Sequence, residues 1–272
     1  MATVTLRHAA VAGRFYPRDP ETLREEIRSY TAPDAAKKVR AVGCIVPHAG
    51  YVYSGHVAGA VFAQLEVPEH CVVLCPNHTG MGRALAIMSE GEWETPLGHV
   101  PIDSGLATML KKQCALLNED AAAHRAEHAV EVELPFLQSR QAKLKFVPIA
   151  LGTTYLETLE QLGLALAEVI AAHSDPVLIV ASSDMNHYES DAVTRIKDQR
   201  ALERILTLDA RGLHEVVTQQ DVSMCGFGPA IVMLTAAQKL GAKSAELVKY
   251  ATSGDISGDR DMVVGYAGVV VR

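Results

Sequence analysis

Seven short apolar runs alternate along this chain with stretches that have helical periodicity. The runs cover residues 39–46, 71–75, 83–88, 144–151, 176–182, 245–251 and 262–271. Several of them are continuously apolar, as a strand must be when both faces of its sheet are covered. Alternating strands and helices are typical of a largely parallel sheet between helical layers. The sequence therefore predicts a single α/β domain over residues 1–272, a three-layer α/β/α sandwich with a mixed, mostly parallel central sheet.

The predicted helices lie between these runs, where apolar residues recur at three- and four-residue steps. They cover residues 20–30, 154–172, 191–206 and 229–240, and a further helix that Ser54 can cap. Residues 90–102 lack this periodicity, so we expect a loop there rather than a linker between domains.

Composition excludes several classes of protein. Apolar residues make up 49% of the 272 residues, more than an intrinsically disordered chain contains. Lys and Arg total 25 against 32 Asp and Glu, and the resulting net charge of −7 argues against nucleic-acid binding. No apolar run approaches the roughly 18–20 residues of a membrane helix, and no secretory signal is visible. The five cysteines are therefore expected to be reduced, and the protein to be cytoplasmic.

The residues that follow the strands are the strongest candidates for function, because open α/β sheets bind ligands at the carboxyl ends of their strands. Three predicted strands end in a histidine within a Gly-, Pro- or Asn-bearing turn: His48, His78 and His187. Asp184 precedes His187 by three residues, and Cys225 lies just ahead of a predicted helix. Imidazole and thiolate bind zinc, iron and copper, and they also serve as acids, bases and nucleophiles.

Four further residues are pocket candidates. His128 and Glu131 would share one face of a helix, where a carboxylate can orient a histidine or complete a metal shell. Tyr51 and Asn77 lie in the two turns that carry the first two histidines. Each candidate also has a structural alternative. His128 and Glu131 could form a solvated helix start, Asp184 could cap the turn that carries His187, and the loop histidines could simply be hydrogen-bonded.

Motifs of high specificity extend over nearly the whole chain. They are AVAGRFYPRDPETLREEI (10–27), VPHAGYVYSGHVAG (46–59), CPNHTGMG (75–82), EHAVEVELPFLQ (127–138), ASSDMNHY (181–188), MCGFGP (224–229) and TSGDISGDRDMVVGYAG (252–268). Together they resemble the Memo family, whose prokaryotic members are called protein B of the AmmeMemoRadiSam system. The resemblance implies a fold like that of the class III extradiol dioxygenases, which use a non-haem Fe(II) site. It also implies an AMMECR1-like protein and a radical SAM protein as partners.

By this resemblance the family's pocket residues fall on His48, His78, Asp184, His187 and Cys225. We expect His48, His78 and Cys225 to bind a transition metal, with iron, copper and zinc left open. Asp184, His187 and Cys225 are the expected catalytic residues. A cysteine in place of the dioxygenases' carboxylate changes the ligand field, so their activity is not carried over. The expected function is a redox or dioxygenase-like reaction on an unknown substrate.

Two alternatives use the same pocket. A non-catalytic module would bind a peptide, a small-molecule ligand or a partner protein, and its affinity would survive removal of metal. A metal-free hydrolase would use Cys225 as nucleophile, His187 as base and Asp184 as orienting acid. The hydrolase would leave His48 and His78 without a role, so we rank it below metal binding.

Overall fold

The computed structural model describes residues 5–32 and 38–272, which contain a nine-stranded and a three-stranded sheet. The strands are β1 (Leu6–Arg7), β2 (Gly43–Val46), β3 (His70–Pro76), β4 (Leu85–Ile87), β5 (Glu92–Thr95), β6 (Gly98–Pro101), β7 (Asn118–Glu119), β8 (Lys145–Leu151), β9 (Val177–Ser182), β10 (His187–Glu189), β11 (Ala245–Thr252) and β12 (Val263–Val271). The larger sheet has the order β10-β12-β2-β9-β3-β8-β4-β7, with β11 also paired to β12, and the smaller has the order β1-β5-β6.

The four central strands of the large sheet, β2, β9, β3 and β8, are parallel to one another. β12 and β4 flank them in the antiparallel direction. Each of the seven apolar runs contains a strand of this sheet. The mixed α/β architecture predicted from the sequence is therefore confirmed.

The described residues, 5–32 and 38–272, also form nine helices. They are α1 (Pro20–Tyr30), α2 (Tyr51–Gln64), α3 (Ser104–Gln113), α4 (Leu134–Arg140), α5 (Leu156–Ala172), α6 (Asp191–Leu206), α7 (Ala210–Gln219), α8 (Phe227–Lys239) and α9 (Gly254–Ser257), and a 3-10 turn spans Glu131–Glu133. None of these helices is long and apolar enough to cross a membrane.

The large sheet is buried on both faces, which explains why its strands are continuously apolar. Successive residues of a strand point to opposite faces, so Ile45 joins one core and Cys44 the other. The first core lies under α3, α5, α6, α7 and α8, and the second under α1, α2 and α4. Two helical layers therefore enclose the sheet, and its edges and strand ends reach solvent.

Two local predictions were wrong. Helix α2 begins at Tyr51 with Gly50 at its N-cap, and Ser54 lies inside the first turn, where its hydroxyl donates to the carbonyl oxygen of Ala49 at 2.9 Å. Residues 90–102 form the hairpin β5–β6 instead of a loop. The hairpin is held by tertiary contacts, since β1 pairs with β5 and Trp93 is fully buried.

Candidate metal centre

An open cleft of about 660 Å³ lies at the carboxyl ends of the parallel strands. His48 follows β2, His78 follows β3 and Asp184 follows β9, because parallel strands end at the same edge of a sheet. His187 begins β10, and Cys225 approaches from the turn before α8. All five residues line this one cleft, so the structure brings together the catalytic and metal-ligand candidates named from the sequence.

Three histidines form a possible ligand group in the cleft. His48, His78 and His128 each offer a ligand nitrogen, and these nitrogens lie within 4.8 Å of one another. The ring centroids are 5.1 Å apart for His48 and His78, 5.4 Å for His48 and His128, and 4.8 Å for His78 and His128. Zinc, iron and copper all accept imidazole ligands. A larger cavity of about 750 Å³ lies at the amino end of β8, and none of the three histidines lines it.

Glu127 orients two of these histidines. Its fully buried carboxylate accepts hydrogen bonds from the backbone N–H groups of His78 (2.6 Å), His128 (2.9 Å) and Ala129 (3.0 Å), and from Nδ1 of His78 (2.9 Å). Burial raises the pKa of Glu127 and lowers that of His78, but their mutual hydrogen bond and charge outweigh burial. The net shift is therefore downward for the pKa of Glu127 and upward for the pKa of His78. Nδ1 of His78 is the donor, which leaves its Nε2 for a ligand.

His48 links the strand end to the cysteine. Its Nδ1 lies 2.8 Å from Oγ of Ser182, and its Nε2 lies 3.3 Å from Sγ of Cys225. Burial, with the neighbouring histidines, holds the pKa of His48 well below its usual range. Burial and the charge of Asp184 raise the pKa of the Cys225 thiol. Without a cation beside them, the two side chains are therefore a neutral imidazole and a thiol.

Asp184 does not orient His187, as the hydrolase alternative requires. Oδ1 of Asp184 accepts from the backbone N–H groups of His48 (2.8 Å) and Ala49 (3.3 Å). Nδ1 of His187 instead donates to the carbonyl oxygen of Ser223 at 2.8 Å, so its Nε2 is the free nitrogen. Burial raises the pKa of Asp184 to about 7 and lowers that of His187. The histidine that contacts Cys225 in the cleft is His48, not His187.

Glu131 lies outside the cleft and has a structural environment. Its buried carboxylate pairs with Arg7 and accepts the Tyr16 hydroxyl at 2.6 Å and the backbone N–H groups of Ala10 and Val11 at 2.9 and 3.0 Å. It therefore anchors the N-terminal segment to the 3-10 turn. Glu131 does not pair with His128 on a helix face as expected, because residue 128 precedes the 3-10 turn. The carboxylate beside His128 is that of Glu127, whose Oε1 lies 3.4 Å from Nδ1 of His128.

Tyr51 and Asn77 also do not line the cleft. Tyr51 is buried, and its hydroxyl donates to the carbonyl oxygen of Val132 at 2.8 Å. Oδ1 of Asn77 accepts the N–H groups of Thr79 (3.2 Å) and Gly80 (3.0 Å), which shapes the turn that carries the second histidine. Both side chains support the cleft from outside.

Sequence reasoning missed the side chains that position the histidines: Glu127, Ser182 and Ser223. Glu127 and His78 are 49 positions apart, and Ser182 and His48 are 134 positions apart, so no local spacing links them. The one available signal was the acidic residue directly before His128 in the EHAVEVELP segment.

A family model described as Memo-like protein matches residues 7–270 of the chain. The chain belongs to the Memo family. A MEMO1 family protein of Methanopyrus kandleri is 43% identical over 98% of this chain and 99% of its own length. The MEMO1 family proteins of Methanothermobacter thermautotrophicus and Saccharolobus solfataricus are 40% and 43% identical, each over 96% of this chain and over 99% and 97% of their own lengths. The family assignment expected from the motifs is therefore confirmed.

The fold of this Memo family protein also resembles a solved structure. The crystal structure of an uncharacterized protein from Escherichia coli K12 matches it with a TM-score of 0.57, over 85% of this chain and all of that one. The two sequences are 14% identical, so the likeness supports the α/β fold and no shared activity. A relationship to the extradiol dioxygenases stays a prediction.

Proposed function

We propose that this Memo family protein binds a transition metal in the cleft and uses it for a redox or dioxygenase-like reaction. The observation that carries the proposal is the grouping of His48, His78 and His128, with ligand nitrogens within 4.8 Å of one another. These three residues would hold the ion, together with Cys225, whose Sγ lies 3.3 Å from Nε2 of His48. The bound ion would supply a Lewis acid or an electron-transfer centre.

The contacts of the histidines fit a metal site. Nδ1 of His48 is engaged by Ser182 and Nδ1 of His78 by Glu127, so the Nε2 atoms are available to a cation. Histidine ligands in metalloproteins usually donate their other N–H group to a protein acceptor in this way. Burial lowers the pKa of His48, so this ring offers a lone pair instead of a positive charge.

Asp184 and His187 are proposed to handle protons beside this group. Burial raises the pKa of Asp184 to about 7, so its carboxyl can hold or release a proton near neutral pH. His187 presents a free Nε2, because its Nδ1 donates to Ser223. Phe15 packs against His128 with ring centroids 4.6 Å apart and shields one side of the group from water.

Metal content tests the proposal. Untagged protein, reconstituted with Fe²⁺, Cu⁺ or Zn²⁺ under reducing conditions, is expected to keep about one ion per chain after desalting. His78→Gln and His128→Gln should lose this ion. His99→Gln is the matched control, since His99 is an exposed histidine in β6 that pairs with Glu92. A metal-free wild type, or histidine variants with full metal content, would contradict the proposal.

The role of Cys225 has its own readout. Bound Co²⁺ is expected to show a thiolate-to-metal charge-transfer band in the wild type, and Cys225→Ser should lose the band and bind the ion more weakly. If the band is absent in the wild type while one ion is bound, Cys225 is not a ligand and the three histidines hold the metal alone.

A binding module without catalysis is the second candidate. The cleft has an apolar side formed by Phe15, Val264 and Tyr188, and Tyr188 is 69% exposed with a positive φ of 60°. A side chain held in this sparsely populated backbone region is common at ligand sites. Ligand affinity that survives treatment with a chelator would favour this candidate. Association with AMMECR1-like and radical SAM proteins stays a prediction from the family resemblance.

A further inference from the structure

The hydroxyl of Ser182, behind His48, has three buried hydrogen-bond partners. Oγ lies 2.8 Å from the carbonyl oxygen of Ala129, 2.9 Å from Oε1 of Glu133 and 2.8 Å from Nδ1 of His48. A hydroxyl donates one proton and accepts two. A carbonyl oxygen only accepts, so the hydroxyl proton belongs in the bond to Ala129. Both other partners must then donate to Oγ, which requires a proton on Nδ1 of His48 and one on Oε1 of Glu133.

The surroundings of Glu133 agree with this count of protons. The side chain is fully buried, and its Oε2 has no hydrogen-bond partner in the part of the chain that the structure describes. The titratable groups that interact electrostatically with Glu133 are Cys44, Tyr51 and Asp184, and none of these three is a cation. An ionised carboxylate there would lose its hydration without compensation. Burial, reinforced by the charge of Asp184, raises the pKa of Glu133 despite the bond to Ser182.

We propose that Glu133 is an un-ionised carboxylic acid that positions His48 through Ser182. Its proton occupies one lone pair of Oγ and fixes the rotation of the hydroxyl, whose hydrogen points at the carbonyl oxygen of Ala129 while the remaining lone pair faces Nδ1 of His48. His48 is thereby held in the tautomer with its proton on Nδ1, and its Nε2 lone pair faces Cys225 and the cleft. Glu133 touches no ligand and is a positioning residue. Its importance for metal binding rests on the proposed function, but the proton assignment does not.

Infrared spectroscopy of the metal-free protein tests the protonation of Glu133. The measurement is made at about pH 9, where Asp184 and Asp198, with pKa values of about 7, are ionised. We expect a carbonyl stretch of a carboxylic acid that shifts in D₂O and disappears in Glu133→Gln. Glu131→Gln makes the same change at a buried carboxylate that is paired with Arg7, and it should leave the band in place. A wild type without this band would overturn the proposal.

Nitrogen-15 NMR of the histidine rings tests the positioning role, with the His48 signals assigned by their loss in His48→Gln. The wild type is expected to carry the His48 proton on Nδ1. Glu133→Leu should give a mixture of tautomers, because the Ser182 hydroxyl is free to donate to His48. Glu133→Gln should restore the single tautomer, because its amide N–H can donate to Oγ. A proton on Nε2 of His48 in the wild type would overturn the proposal.

Metal affinity then separates this proposal from the proposed function. With Co²⁺ as the probe, Glu133→Leu is expected to bind about tenfold more weakly and Glu133→Gln to recover most of the loss. If the wild type binds no metal but has the acid band and the Nδ1 tautomer, the proposed metal function fails and the assignment of Glu133 stands. If metal binds and the acid band is absent, the assignment of Glu133 fails and the proposed metal function stands.

Discussion

Replacing Glu127 with glutamine removes the negative charge and one of the two acceptor oxygens that hold His78 and the turn of His128. The carboxylate accepts four hydrogen bonds, three at Oε1 and one, from the His78 backbone N–H, at Oε2. In the variant Oε1 can keep its three bonds, but an NH₂ group then faces the His78 N–H at the former 2.6 Å contact. A hydrogen bond to a charged acceptor contributes about 1.5–3 kcal/mol, and a buried unpaired donor costs about 1–3 kcal/mol. The two contributions add to about 2.5–6 kcal/mol, and we expect the free energy of unfolding of the metal-free protein to fall by an amount in this range.

Metal affinity should fall in the same variant. Loss of a carboxylate that orients a histidine ligand typically lowers affinity about 10–100-fold. Asp103→Asn is the matched control. It also weakens a partly buried histidine–carboxylate pair, since Oδ2 of Asp103 lies 2.5 Å from Nδ1 of His70, but His70 begins β3, about 20 Å along the strand from the cleft. This variant should lose stability and keep the affinity of the wild type.

The two effects need separate assays. Urea unfolding followed by circular dichroism gives the stability of each metal-free variant, and titration calorimetry with Co²⁺ at a temperature where all variants are folded gives the affinity. If Glu127→Gln binds Co²⁺ as tightly as the wild type, Glu127 does not position the ligands. If Asp103→Asn loses as much affinity as Glu127→Gln, the loss reflects general destabilisation and the argument from geometry fails.

Three further predictions concern stability. Burial raises the pKa of Asp198 from 3.8 to about 7, so between about pH 4 and 7 this group stays protonated in the folded protein but is ionised in the unfolded chain, and its contribution to stability should fall by about 4 kcal/mol across that window. Asp198→Asn should reduce the loss of stability with rising pH by about this amount in unfolding experiments at several pH values, and the part due to Asp184, whose pKa is also raised to about 7, should remain. Gly265→Ala should lower stability by about 1–3 kcal/mol in urea unfolding, because its Cβ would lie 1.9 Å from Oδ2 of Asp198; an unchanged midpoint would refute the clash. Tyr51→Phe should cost about 1 kcal/mol through the lost bond to Val132 and leave Co²⁺ affinity unchanged in calorimetry, whereas weaker binding would place Tyr51 in the site.

The sequence predicted the sheet well because a strand buried on both faces must be apolar along its length. The same reasoning located His48 and His78, since residues that follow parallel strands meet at one edge. It failed for residues 90–102, where Trp93 is the main buried side chain of a short hairpin. Such a segment has too few apolar residues to show a period, and its strands are stabilised by pairing with β1.

What the sequence by itself determined is the order of the seven apolar strands and of the five helices predicted between them, together with the set of polar side chains at the strand ends, because both follow from local periodicity and turn residues. Only the tertiary structure decided which carboxylate serves which purpose. Three glutamates lie within seven residues of one another, yet each has a different partner. Glu127 binds His78, Glu131 anchors the N-terminal segment through Arg7, and Glu133 contacts Ser182. Their partners come from distant parts of the chain, and the burial that sets their charge exists only after those parts have packed together.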